Sequence, residues 1–133
     1  MPDSQDDKPT YTQRKFFREA VANHDKVSEL EAITDQTYRL DRTGDLTEVI
    51  VYITNLYTVG YADVIGIQSK CSDLNCIVTM SNWNGYTGDA KRYAAENRVG
   101  LFMFAEFMGA LNFKHIWKYE KRDDSGAQKS RYK

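Results

Sequence analysis

The chain has 133 residues, with 18 Lys+Arg against 19 Asp+Glu for a formal charge of -1, and is 41% hydrophobic and 13% aromatic. That length suits one domain with a proper core and is short for two, and the aromatic content argues against global disorder. No apolar run approaches the roughly 18 residues of a membrane span, and the polar, acidic opening MPDSQDDKPT is unlike a signal peptide; a cytoplasmic protein with no membrane partner is expected. Cys71 and Cys76 have no matching Cys/His pair at zinc spacing, so they read as free thiols. The near-neutral total hides two opposed parts. Residues 1–113 hold 11 basic and 16 acidic side chains, whereas 114–133 hold seven basic against three acidic.

Residues 1–10 read as a disordered segment, 11–113 as a single α/β domain, and 114–133 as a basic, partly disordered extension. Tyr11 to Leu30 reads as a helix whose stripe is Phe17, Ala20, Val21, His24 and Val27. His24 on that stripe is expected to be a packing residue. Thr37 to Arg42 and Thr47 to Thr54 flank a Gly44-Asp45 turn and predict a hairpin. The second run, almost wholly apolar and β-branched, predicts a central strand buried on both faces. Residues 57–70 read as a helix weakened by Gly60 and Gly66.

Asn75 to Met80 then reads as a short buried strand, and Ser81 to Tyr86 as a polar, aromatic turn. Thr87 is a natural helix cap, Asp89 suits the positive end of the helix dipole, and Ala90, Tyr93 and Ala94 supply the buried stripe. Leu101 to Phe104 reads as another buried strand and Ala105 to Phe113 as a last helix. The strand–helix–strand unit implies parallel pairing. The expected order is α-β-β-α-β-α-β-α, a three-layer α-β-α domain with a central mixed sheet.

Residues 75–102, from Asn75-Cys-Ile-Val-Thr-Met-Ser-Asn-Trp-Asn-Gly-Tyr-Thr to Val-Gly-Leu-Phe, resemble the closing half of Mrr-type restriction endonuclease domains. Tyr86-Thr87, Ala90, Ala94 and Leu101 fit that layout, and Val59-Gly60 opens a helix after the central strand as in that family. The element order is also similar to that of the restriction-endonuclease-like, or PD-(D/E)xK, superfamily. The resemblance implies Mg²⁺ held by an Asp at the hairpin and by a Glu or Gln on the next strand, with a Lys two residues on. Hard carboxylate oxygens suit that ion, which stabilises the transition-state charge. On this implication Asp41, or Asp35, matches the first ligand.

The central strand departs from the pattern. It ends in Tyr52-Ile53-Thr54, without the second ligand or the lysine, and Glu48-Val49-Ile50 offers no lysine either. Lys70 or Lys91 would have to migrate into place. Losing such electrostatic contributors costs about 10²–10³ in rate for each, so the reading favoured is a pseudo-nuclease that binds DNA or RNA, or a nucleic-acid-processing partner, without a cofactor. The alternative enzyme is a divergent Mg²⁺-dependent endonuclease with Asp41 and Glu48 as catalytic and metal-binding residues. A further alternative is an interaction module or homodimer built on aromatic surface near Trp83 or Trp117.

Candidate nucleic-acid contacts follow from residue type. Lys114, Lys118, Lys121 and Arg122 are interleaved with His115, Trp117 and Tyr119, and cations gain by displacing counterions condensed on phosphates. Asn82, Trp83, Asn84 and Thr87 occupy the loop leaving a parallel strand, where a helix start can receive a phosphate and an aromatic can stack on a base. Nucleophilic catalysis has little support, because neither His24 nor His115 lies near a Gly-x-Ser-x-Gly elbow and Cys71 and Cys76 have no evident partner base.

Overall fold

A computed structural model describes residues 7–80 and 85–120. Helix α1, Tyr11–Ala22, starts at Thr10, whose side chain accepts from the Gln13 backbone N–H while the Gln13 side chain accepts from the Thr10 N–H. This capping box satisfies two donors that a helix start leaves open. Phe17 and Val21 are the buried face.

The helix stops well short of residue 30. Asn23 closes it, with its backbone N–H on the Ala20 carbonyl and its side chain on that of Glu19. Residues Val27–Ala32 then form a strand, β1, paired antiparallel with β2, Thr37–Arg42. Val27 fits both a helical stripe and a strand, and pairing with β2 overrides the weak local preference. His24 sits beyond the helix, accepting from the Lys26 N–H at Nδ1 (3.0 Å) and donating from Nε2 to the Met108 carbonyl (2.9 Å).

The hairpin forms as expected. β2 pairs antiparallel with β3, Val49–Thr54, all six of whose residues are buried, and Gly44 takes the left-handed conformation in the turn. A two-residue strand β4, Thr58–Val59, precedes α2, Tyr61–Lys70, so the helix predicted from residue 57 begins later, at the Gly60 cap. β5 (Cys76–Thr79), β6 (Gly85–Tyr86), α3 (Gly88–Glu96), β7 (Gly100–Met103) and α4 (Phe104–Ala110) follow, with a 3₁₀ turn at Ile116–Lys118. The main sheet runs β1-β2-β3-β5-β7, with β3, β5 and β7 parallel; β4 and β6 make a separate parallel pair. The β5-α3-β7 crossover matches its expectation. Among the described residues the order of helices and main-sheet strands is α-β-β-β-α-β-α-β-α, one strand richer at the start than predicted.

Alternation along β3 splits the core into two layers. Val49, Val51 and Ile53 join Phe17, Val21, Tyr38, Leu40, Phe102 and Phe107 under α1 and α4. Tyr52 joins Val64, Ile67, Ile77, Ala90, Ala94 and Leu101 under α2 and α3. Residues 7–10, expected to be disordered, pack against the body: Pro9 is buried and the Asn55 N–H donates to the Asp7 carbonyl at 2.7 Å. No described helix is long and apolar enough to cross a membrane.

Candidate functional site

β3 carries two polar tips among its apolar side chains, Tyr52 and Thr54, both on the α2 face. Both hydroxyls donate to Oδ2 of Asp7, Tyr52 at 2.9 Å and Thr54 at 2.7 Å. Gln36, just ahead of β2, donates from Nε2 to Asp7 Oδ1 (3.3 Å), to the Tyr52 hydroxyl (3.1 Å) and to the Ile53 carbonyl (3.0 Å). Lys70, at the end of α2, donates to the Tyr52 oxygen at 3.1 Å, with its ammonium 5.1 Å from the ring centroid. A strand, a helix, the loop ahead of β2 and the N-terminal segment therefore meet on one phenol.

Burial, and then the Asp7 carboxylate beside it, push the Tyr52 hydroxyl well above its ordinary pKa. It stays a neutral donor, and the Asp7 carboxylate receives it together with Thr54 and Gln36. The Lys70 side is open: a cavity of about 470 Å³ is walled by Gln36, Thr37, Tyr52 and Lys70 with Ile33 and Ile50, and Asp73 lies at its margin.

This cluster occupies the strand end that the nuclease resemblance assigns to a Glu/Gln-x-Lys triplet. Lys70 does approach it, whereas Lys91 does not: its ammonium donates to the Leu101 carbonyl at 2.5 Å and lies 4.2 Å from the Phe102 ring centroid. Asp41 and Glu48 lie toward the other end of the hairpin. Asp41 is half-buried in β2 opposite Glu29, and Glu48 is exposed just before β3. Among the described residues no hydrogen bond or ion pair joins either to a lysine, and no group of three or more His, Cys, Asp or Glu is placed to hold a metal ion. Asp35, the other candidate, is ion-paired with Lys8 at 2.8 Å, and that contact lowers its pKa.

Thr87 caps α3 as expected, accepting from the Ala90 N–H at 3.2 Å and donating to Asp89. Asn82, Trp83, Asn84, Lys121 and Arg122 lie outside the described residues. Lys114 and Lys118 are exposed on a segment that is firmly held, with Ile116 buried and Trp117 and Tyr119 packed against the first core layer. Arg42 holds its start, donating to the Leu111 (2.9 Å) and Phe113 (2.8 Å) carbonyls.

A second polar cluster was not foreseen. Glu106, 4% exposed, accepts from the Tyr86 hydroxyl at 2.8 and 3.0 Å and from the Met103 N–H at 2.9 Å. It joins α4 to β6 and carries a structural load at the carboxyl end of β7. A polar residue three positions into a helix was its one sequence signal. The Asp7 cluster had less: its members are scattered over four segments, and only Tyr52 and Thr54 stand out within an apolar strand. Comparison of the chain with family models, curated proteins and solved structures finds no match.

Proposed function

We propose that the chain is a restriction-endonuclease-like domain that binds nucleic acid without cutting it. The observation that carries this reading is the fate of the central strand end. Where the resemblance calls for a metal-binding Glu or Gln and a lysine, Tyr52 and Thr54 stand, and their hydroxyls are spent on Asp7. The antiparallel hairpin feeding parallel strands in one mixed sheet supports the fold half of the reading.

Binding is assigned to the C-terminal extension. Lys114 and Lys118 project from an anchored segment, so less chain entropy is lost when they meet phosphates. The acidic remainder of the chain repels a polyanion and keeps contact local. Anisotropy titrations of labelled DNA and RNA at two salt concentrations test this. Affinity should fall as salt rises, and the Lys114→Ala/Lys118→Ala variant should reduce the log–log salt slope by about 2. No binding at low salt would remove the nucleic-acid reading.

A second reading, a Mg²⁺-dependent endonuclease, draws on the convergence of a carboxylate, an amide and an ammonium in Asp7, Gln36 and Lys70 around Tyr52. It predicts metal-dependent cleavage that Asp7→Asn abolishes; with Asp41 and Glu48 as ligands instead, Asp41→Asn would abolish it.

A further inference from the structure

The donors around Asp7 belong to the folded sheet rather than to the segment that carries Asp7. Tyr52 and Thr54 are fixed by β3, a strand buried along its whole length. Gln36 is held independently by the Ile53 carbonyl and the Tyr52 hydroxyl. Lys70 adds a positive charge beside the same phenol. Two hydroxyls and an amide N–H₂ converge on one carboxylate, with the Lys70 ammonium hydrogen-bonded to the Tyr52 oxygen, and this makes a receptor for an anion whose preorganised donors keep that character whichever anion is present. In the structure the anion is the side chain of Asp7.

We propose that this pocket binds a small organic anion carrying one carboxylate or phosphate group, and that Asp7 occupies the anion position in cis. The inference does not depend on nucleic-acid binding by the C-terminal extension. The neighbouring cavity, about 470 Å³ and within the size range of small-molecule sites, shares Gln36, Tyr52 and Lys70 with the pocket. Ile33 and Ile50 on its wall suit an apolar body attached to the anionic group. Asp73, exposed at the margin, disfavours a second negative charge at the outer end. A second recess, of about 240 Å³, is lined by Asp7 and Lys70 together, so open space also adjoins Asp7 itself.

The backbone of Asp7 is held to the body, its carbonyl accepting from the Asn55 N–H at 2.7 Å, so an external anion has only to displace the Asp7 side chain from its donors. The next residue, Lys8, is tied down by an ion pair with Asp35 whose two side chains are 40% and 65% exposed, and such surface pairs contribute little. Being tethered, Asp7 competes at high effective concentration with any free anion. The external ligand therefore gains when the tethered one is removed.

The test uses the full chain with Asp7→Ala and separate titrations of acetate and inorganic phosphate, followed by amide NMR shifts at Gln36, Tyr52 and Thr54. At least one anion should bind about tenfold or more tightly to the variant than to the unaltered protein, and the arm that saturates identifies the preferred group. Adding Lys70→Met, at an exposed position, should reverse that gain. Asp7→Asn, which keeps the size of the side chain and removes its charge, should show a gain in the same direction and covers the case in which the alanine variant unfolds. Equal affinity with and without the Asp7 carboxylate, or shifts confined to other residues, would overturn the proposal.

Discussion

Tyr52 is 5% exposed, and its hydroxyl is the meeting point of Asp7, Gln36 and Lys70. Its raised pKa gives a pH dependence of known sign. The neutral phenol is favoured in the folded state, so this contribution is complete below the ordinary value of 10.0 and is lost as pH rises above it. Urea midpoints measured on either side of that value should fall for the native protein and fall less for Tyr52→Phe. At neutral pH the same variant should cost about 1–2 kcal/mol, because the donors of Lys70 and Gln36 lose an acceptor and Asp7 loses a donor. Arg42, 7% exposed, donates to the Thr47, Leu111 and Phe113 carbonyls. These bonds leave from two separate nitrogens, Nε and Nη1, a spread that the single nitrogen of an ammonium does not reproduce; Arg42→Lys should cost about 2–4 kcal/mol by chemical denaturation.

Among the elements, those with one dominant period were legible. β3 and β5 are short β-branched runs, and α3 has a capping threonine followed by an alanine stripe, so their types followed directly. β1 was hidden because Val27 continues the helical spacing of Phe17 and Val21, while the partner that makes it a strand lies across a turn in β2. The short β4–β6 pair was hidden for a similar reason: two residues have no period. The Asp7 cluster depends on register between distant segments, which local pattern does not encode. Element junctions also carry the tightest contacts. A Cβ at Gly109 of α4 would lie 2.4 Å from the Tyr119 hydroxyl, and one at Gly100 would lie 2.4 Å from the Phe102 ring. Gly100→Ala must displace a fully buried ring and should cost about 1–3 kcal/mol. Gly109→Ala has an easier escape, by moving the half-buried Tyr119, and should release the 113–120 segment more than it lowers global stability. Faster amide exchange confined to that segment would verify this; an unchanged pattern would count against the anchoring role.

At the scale of the whole molecule, the opposition of charge along the chain gains a physical frame. Residues 114–120 combine exposed lysines with aromatics packed on the core, after a run of chain, 1–113, that holds 11 basic and 16 acidic side chains. On the proposed reading, contact with a polyanion is confined to that segment, with a salt dependence set by a few phosphates. The three-layer α/β architecture supplies parallel strands and a central strand end at which chemistry could be built, and there the sequence has placed two hydroxyls and a tethered carboxylate. The central claim, binding without cleavage, is tested most directly by incubating the full chain with supercoiled plasmid in Mg²⁺ at low salt and following mobility and topology on one gel. Retardation with the supercoiled form intact is the predicted result. Mg²⁺-dependent nicking or linearisation that disappears in Asp7→Asn or Asp41→Asn would contradict it.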